Sequence, residues 1–147
     1  MSSGSSKIVI DTHIFLWYAL GGGQLKPGVA DHLHARHADV LVPTICLWEI
    51  AVLNDKGKIR LAGRSPYETI AKIFKQTQFV PAPLTAPIAL LSRALPFIHE
   101  DPADRFIAAT AYHHDAELLT VDEKLVNLPF LRHFDQAPFS EKWPALS

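Results

Sequence analysis

The chain has 147 residues, 48% of them apolar and 20% charged, which matches a soluble globular domain and excludes disorder, collagen-like repeats and coiled coil. A chain this long buries roughly 70% of its unfolded surface and needs no metal or disulfide staple. Formal charge is −1, from 14 basic and 15 acidic residues, so no global positive field can drive binding to a polyanion; a local basic patch or metal ions would have to do so.

The single cysteine, Cys46, excludes an intramolecular disulfide and a cysteine-based zinc site, and agrees with a reducing compartment. No apolar stretch approaches the roughly 20 residues of a membrane helix. The apolar run 8–20 carries Asp11 and His13 and has no basic region before it, so it does not read as a secretory signal. The expectation is a soluble, cytoplasmic protein with no membrane partner. Residues 1–6 (MSSGSS) read as a flexible leader or an expression remnant, 7–135 as one domain, and the Pro-bearing segment 136–147 as a surface tail.

In chain order, residues 7–10 form a short β-branched run that suits a strand buried on both faces. The apolar segment 14–20 reads as a helix stopped by Gly21, Gly22 and Gly23. Residues 28–38 read as a second helix with Pro27 near its start, and 39–43 (DVLVP) as a second strand. Thr44 is placed as the cap of a helix that ends at Gly57 and carries Ile45, Trp48 and Val52 along one side. Ser65 caps a helix to 76 with Pro66 in its first turn, 78–80 is a weak strand, and 85–95 is helical. The segment 102–114 is a strong helix, 117–121 (ELLTV) a strand, 122–126 a short helix, and 131–134 an edge strand. Strands alternating with helices imply a mostly parallel sheet covered on both faces, an α/β arrangement in which ligands bind beyond the carboxyl ends of strands.

Asp11 and Asp122 each follow a predicted strand, Asp104 lies in the first turn of a predicted helix, and Glu49 lies about one and a half turns into another. Carboxylates that converge on one cleft repel one another, and all-oxygen ligation suits Mg²⁺ or Mn²⁺ as the neutralising cation. Simpler readings stand beside this. Asp11, Asp101 and Asp122 could be helix caps, Asp104 could favour a helix N-terminus, Arg105 could be a solvated charge, and Glu49 a polar helix edge.

Four segments in order, IVIDTH (8–13), LWEIA (47–51), HEDPADR (99–105) with its Ala-rich sequel, and LLTVD (118–122), resemble the motifs of PIN-domain proteins. The nearest resemblance is to the VapC-like toxins of bacterial type II toxin–antitoxin pairs, over about 8–134. It implies an α/β/α sandwich with a mostly parallel five-stranded sheet and a Mg²⁺- or Mn²⁺-dependent endoribonuclease that cuts RNA. It also implies a small antitoxin partner and a homodimer. Carried over residue by residue, it places the acidic set on Asp11, Glu49, Asp104 and Asp122, with Asp11 and Asp104 as direct metal ligands and the other two acting through a second metal or bound water. This chain departs from the pattern at Cys46, where a small hydroxyl residue is common before the Trp–Glu pair, and at Leu53, where a lysine is common.

The basic stretch Lys56, Lys58, Arg60 and Arg64 reads first as a solvated loop and second as a contact for RNA phosphates. The His32, His34, His37 group and His113–His114 read as surface positions, His13 as a site-edge or packing residue, and His99 as a loop residue. Trp17 and Trp48 read as core or dimer contacts, and Trp143 as a tail aromatic. Two other functions compete. A haloacid-dehalogenase-like phosphatase needs a second Asp two residues after Asp11, where His13 stands. A non-catalytic PIN-like module that binds RNA or protein would keep the fold without cleavage.

Overall fold

In the computed structural model, residues 7–61, 65–96, 100–122, 125 and 132–133 are described. The leader 1–6, His99, Arg64, the helix expected from 122 to 126 apart from Asp122 and Leu125, and the tail with Trp143 lie outside them.

The sheet contains β1 (Ile8–Ile10), β2 (Val40–Pro43), β3 (Val80–Ala82), β4 (Glu117–Leu119) and a two-residue edge strand, β5 (Arg132–His133). Their order is β3-β2-β1-β4-β5, and every pairing is parallel. β1 and β4 are neighbours, with Ile8 opposite Glu117 and Ile10 opposite Leu119. Ile8, Val9 and Ile10 are fully buried, as a strand covered by helices on both faces requires. Among the described residues the α-helices are α1 (Thr12–Ala19), α2 (Val29–Ala35), α3 (Thr44–Asp55), α4 (Pro66–Thr77), α5 (Ala86–Ala94) and α6 (Pro102–His113). They flank the sheet in an α/β/α sandwich whose core runs from β1, β2 and β4 into Phe15, Ile50, Ile88 and Ile107. Among the described residues no helix is long and apolar enough to cross a membrane.

From β1 the chain steps outward to β2 and β3, then returns through α5 and α6 to β4 on the other side of β1. The winding direction therefore reverses between β1 and β4. In an open parallel sheet this reversal leaves a crevice beyond the carboxyl ends of the two strands, where ligands bind.

Several local expectations are corrected. Pro43, not Thr44, occupies the cap position of α3, and no side chain caps that end. The second helix ends at Ala35, and a 3-10 turn (His37–Asp39) with an Arg36–Asp39 ion pair of 3.2 Å delays β2 to Val40. Gln78 is not in a strand: its left-handed φ of 62° ends α4, and the strand begins at Val80. The fourth strand stops at Leu119, so Thr120, Val121 and Asp122 form the turn beyond it. Ser65 does cap α4, accepting from Glu68 N–H at 3.2 Å, with Pro66 in the first turn.

Candidate active site

Asp11 follows β1 directly, and its backbone N–H donates to Leu119 O at 3.3 Å, which ties the ends of β1 and β4 together. Its carboxylate does two things. Oδ1 accepts from Ile14 N–H at 3.1 Å as the N-cap of α1, and Oδ2 accepts the Thr120 hydroxyl. Only 4% of the residue is exposed. Burial is the main influence on this group and raises its pKa above the usual carboxylate range. The Thr120 and Ile14 hydrogen bonds and the nearby His13 oppose the rise, and Asp122 adds to it.

Asp122 is anchored by its backbone N–H, which donates to Thr120 Oγ1 at 3.0 Å. Thr120 thus joins two of the acids through one hydroxyl. Thr12, the first residue of α1, plays the matching part for Glu49, donating its hydroxyl to Oε1 at 2.6 Å. Burial raises the Glu49 pKa most, while the Thr12 hydrogen bond lowers it and Asp101 raises it further.

Asp104 enters from α6. Asp101 caps that helix, its Oδ1 accepting from Ala103 N–H at 3.0 Å and Asp104 N–H at 3.4 Å, and Pro102 fills the first turn. The cap reading of Asp101 is therefore correct. Asp104 is 8% exposed. The solvated reading of Arg105 is overturned: the residue is 5% exposed, its Nε donates to Ser92 O at 2.8 Å, and Nη1 meets Glu100 Oε2 at 3.4 Å. This guanidinium ties the start of α6 to α5.

Asp11, Glu49, Asp104 and Asp122 line one cleft of about 860 Å³ at the β1–β4 reversal, joined there by Asp101 and His13. The opposing wall is apolar, with Ile45, Trp48, Val52, Leu53 and Phe106, and Lys56 also lines the cleft. Trp48 is no core residue; it is 61% exposed. Thr12 and Thr120 were not singled out in the sequence, although their signals were there: one threonine directly after Asp11, the other two residues before Asp122. Cys46 is fully buried, and burial pushes its thiol far above the usual range, which leaves it inert in the folded protein.

The PIN domain family model matches residues 8–131. Ribonuclease VapC22 of Mycobacterium tuberculosis (strain ATCC 25618 / H37Rv) is 30% identical over 121 residues, covering 80% of this chain and 88% of that one. Among solved structures, a DNA-bound VapBC from Salmonella typhimurium aligns with a TM-score of 0.62 and 13% identity, covering 88% of this chain and 98% of its own. A toxin–antitoxin complex from Klebsiella pneumoniae aligns with a TM-score of 0.58 and 22% identity, covering 84% and 93%. At those identities the two structures speak for the fold, whereas the family match spans most of the chain and VapC22 is 30% identical over 80% of it. On that ground the chain belongs to the PIN-domain family.

Proposed function

We propose that this chain is a metal-dependent endoribonuclease that hydrolyses RNA phosphodiester bonds as the toxin of a type II toxin–antitoxin pair. The supporting observation is the meeting of Asp11, Glu49, Asp104 and Asp122 in one cleft, in a chain 30% identical to a protein named a ribonuclease. The donor chemistry fits Mg²⁺ or Mn²⁺: the acids supply oxygen only, and the buried Asp11 carboxylate is costly to ionise without a neighbouring cation. Among the described residues, no three His, Cys, Asp or Glu side chains are grouped to hold an ion by themselves.

In this reading Asp11 and Asp104 are the direct ligands, and Glu49 and Asp122 complete the cluster through water. The cation, when bound, supplies Lewis-acid charge and activates water. The protein's own part is placement. Ile14 N–H and Thr120 hold the two oxygens of Asp11, Thr12 holds Glu49 Oε1, and the Asp101 cap with the Arg105 tether sets where Asp104 enters. In the same reading Glu49, half-buried and held by the Thr12 hydroxyl, takes a proton from water in the cleft.

The partners proposed are an RNA substrate, a second copy of the chain, and a small antitoxin whose arginine enters the acidic cleft with bidentate hydrogen bonds. The test of the activity is RNA cleavage with Mn²⁺ and with EDTA. Asp11→Asn and Asp104→Asn should each lower kcat/KM by more than about a hundredfold, beyond what removal of an outer-sphere partner costs, while the fold persists. Undiminished cleavage in EDTA or in both variants would refute the mechanism. A wild-type chain that binds RNA but never cuts it would instead be the non-catalytic module.

A further inference from the structure

One face of α3 forms a wall of the cleft: Ile45, Trp48 and Glu49, Val52 and Leu53, then Lys56, at the three- and four-residue spacing that keeps side chains on one side of a helix. Along this stripe Ile45, Val52 and Leu53 are half-buried, whereas the Trp48 indole lies 61% open. Opposite stand Asp11, Asp101, Asp104 and Asp122, and among the described lining residues Lys56 is the one lysine or arginine. With one lysine against five carboxylates, the phosphates of a polyanion gain little attraction in such a cleft. The chain's net charge of −1 gives no help from a distance. A bound cation would offset part of the acidic charge at the scissile phosphate, but it offers nothing to the neighbouring nucleotides.

The remaining attraction is apolar and aromatic, and the part of a nucleic acid that answers to it is the flat, uncharged face of a base. We propose that Trp48 is a stacking platform that holds one nucleobase of single-stranded RNA beside the acidic cluster, with Lys56 receiving a backbone phosphate further along α3. The inference rests on the ribonuclease reading and adds the source of substrate affinity. Base faces are covered inside a duplex, so the wall selects unpaired segments, loops or ends. The rise of about 1.5 Å per residue puts roughly 12 Å of helix between Trp48 and Lys56, which leaves the strand room to run from the stacked base to the ammonium. The cleft thus divides its tasks: acids for the reacting phosphate, an indole for a base, and a lysine two turns further along α3 for the strand.

The experiment measures binding of a short fluorescein-labelled single-stranded RNA of mixed sequence to the full chain without metal, and in parallel its cleavage with Mn²⁺. Trp48→Ala should weaken binding roughly tenfold, Trp48→Phe by less than about threefold, and Trp48→Leu as much as Ala, because leucine keeps apolar surface without an aromatic face. In cleavage, KM should rise in the Ala variant while kcat holds. Lys56→Ala should reduce the salt slope of binding by about 0.7. Unchanged melting of Trp48→Ala is expected from the exposure of the side chain and separates lost affinity from lost fold. The proposal is overturned if Trp48→Ala binds like wild type, if duplex and single strand bind alike, or if Trp48→Leu keeps full affinity, the result of a generic apolar seat for a polypeptide side chain. Mn²⁺-dependent cleavage in which the KM of Trp48→Ala equals that of wild type overturns this inference alone. Trp48-dependent binding without Mn²⁺-dependent cleavage upholds it and overturns the nuclease reading alone.

Discussion

Asp11 carries two duties in one carboxylate, since the oxygen that caps α1 and the oxygen that meets Thr120 belong to the same buried group. Cap and site are therefore not rival explanations. The cap fixes the rotamer, and the fixed rotamer aims the charge into the cleft. The cost appears as a raised pKa, caused first by burial. The folded protein holds this proton more tightly than the unfolded chain, whose value lies near 3.8. Stability from Asp11 is therefore complete below that value and is lost as pH rises through the higher folded value. Glu49 acts in the same direction from its ordinary value of 4.5. The metal-free chain should lose thermal stability as pH rises from about 4 toward neutrality on account of these two groups. Asp11→Asn keeps an oxygen for the Ile14 cap, so it should raise the metal-free melting temperature at neutral pH by a few degrees and flatten the pH dependence. Melting curves across that range decide it; a variant less stable than wild type at neutral pH contradicts the argument.

The start of α6 shows how one short element can organise a site. Asp101 satisfies the first free amides, Pro102 presets the first turn, and Asp104 then enters the cleft one turn in. Arg105, the next residue, points into the protein and binds the Ser92 carbonyl of α5. Its partner Glu100 also meets Arg93 at 3.1 Å, but that outer pair is solvent-exposed and contributes little. The buried guanidinium-to-carbonyl bond is the part that matters. Arg105→Ala would leave the Ser92 oxygen without this donor and open a void, at a cost of about 2–3 kcal/mol. Arg105→Lys should recover only part, because an ammonium cannot reproduce the planar fork. Denaturant midpoints measure both, and an Ala variant as stable as wild type would show that the tether is idle.

At the scale of the whole molecule, the reversal between β1 and β4 brings together acids separated by more than a hundred residues of chain. The concentration of carboxylates there makes a strongly negative cleft in a chain of nearly zero net charge, which is what a cationic partner side chain would seek. Large apolar side chains also remain outside the core, with Tyr67 on α4 and Leu90 on α5 both well exposed. On the proposed toxin reading, sedimentation at micromolar concentration should give twice the 16.3 kDa chain mass, and a small antitoxin, if one is encoded by an adjacent gene, should co-purify and block Mn²⁺ binding. A monomer counts against the dimer, and a complex that still binds Mn²⁺ at Asp11 and Asp104 counts against occlusion.

What could be read from residues alone was whatever local chemistry dictates. The β-branched run at 8–10, the Ser65–Pro66 and Asp101–Pro102 helix starts, and the acids placed just past strand ends all carry their signal within a few neighbours. The α/β class followed from their alternation. Where local signals compete, the sequence misled: β2 yielded Asp39 to a 3-10 turn, and Gln78 took a left-handed conformation that ends α4 instead of starting a strand. Only the tertiary structure decided that Arg105 is buried, that Trp48 is open, and that Thr12 and Thr120 hold the acids in place. Each of these depends on which distant segment packs against the residue, as Thr120 does across 109 positions from Asp11. Burial and hydrogen-bond partnership are properties of such long-range neighbours, and no window of sequence contains them.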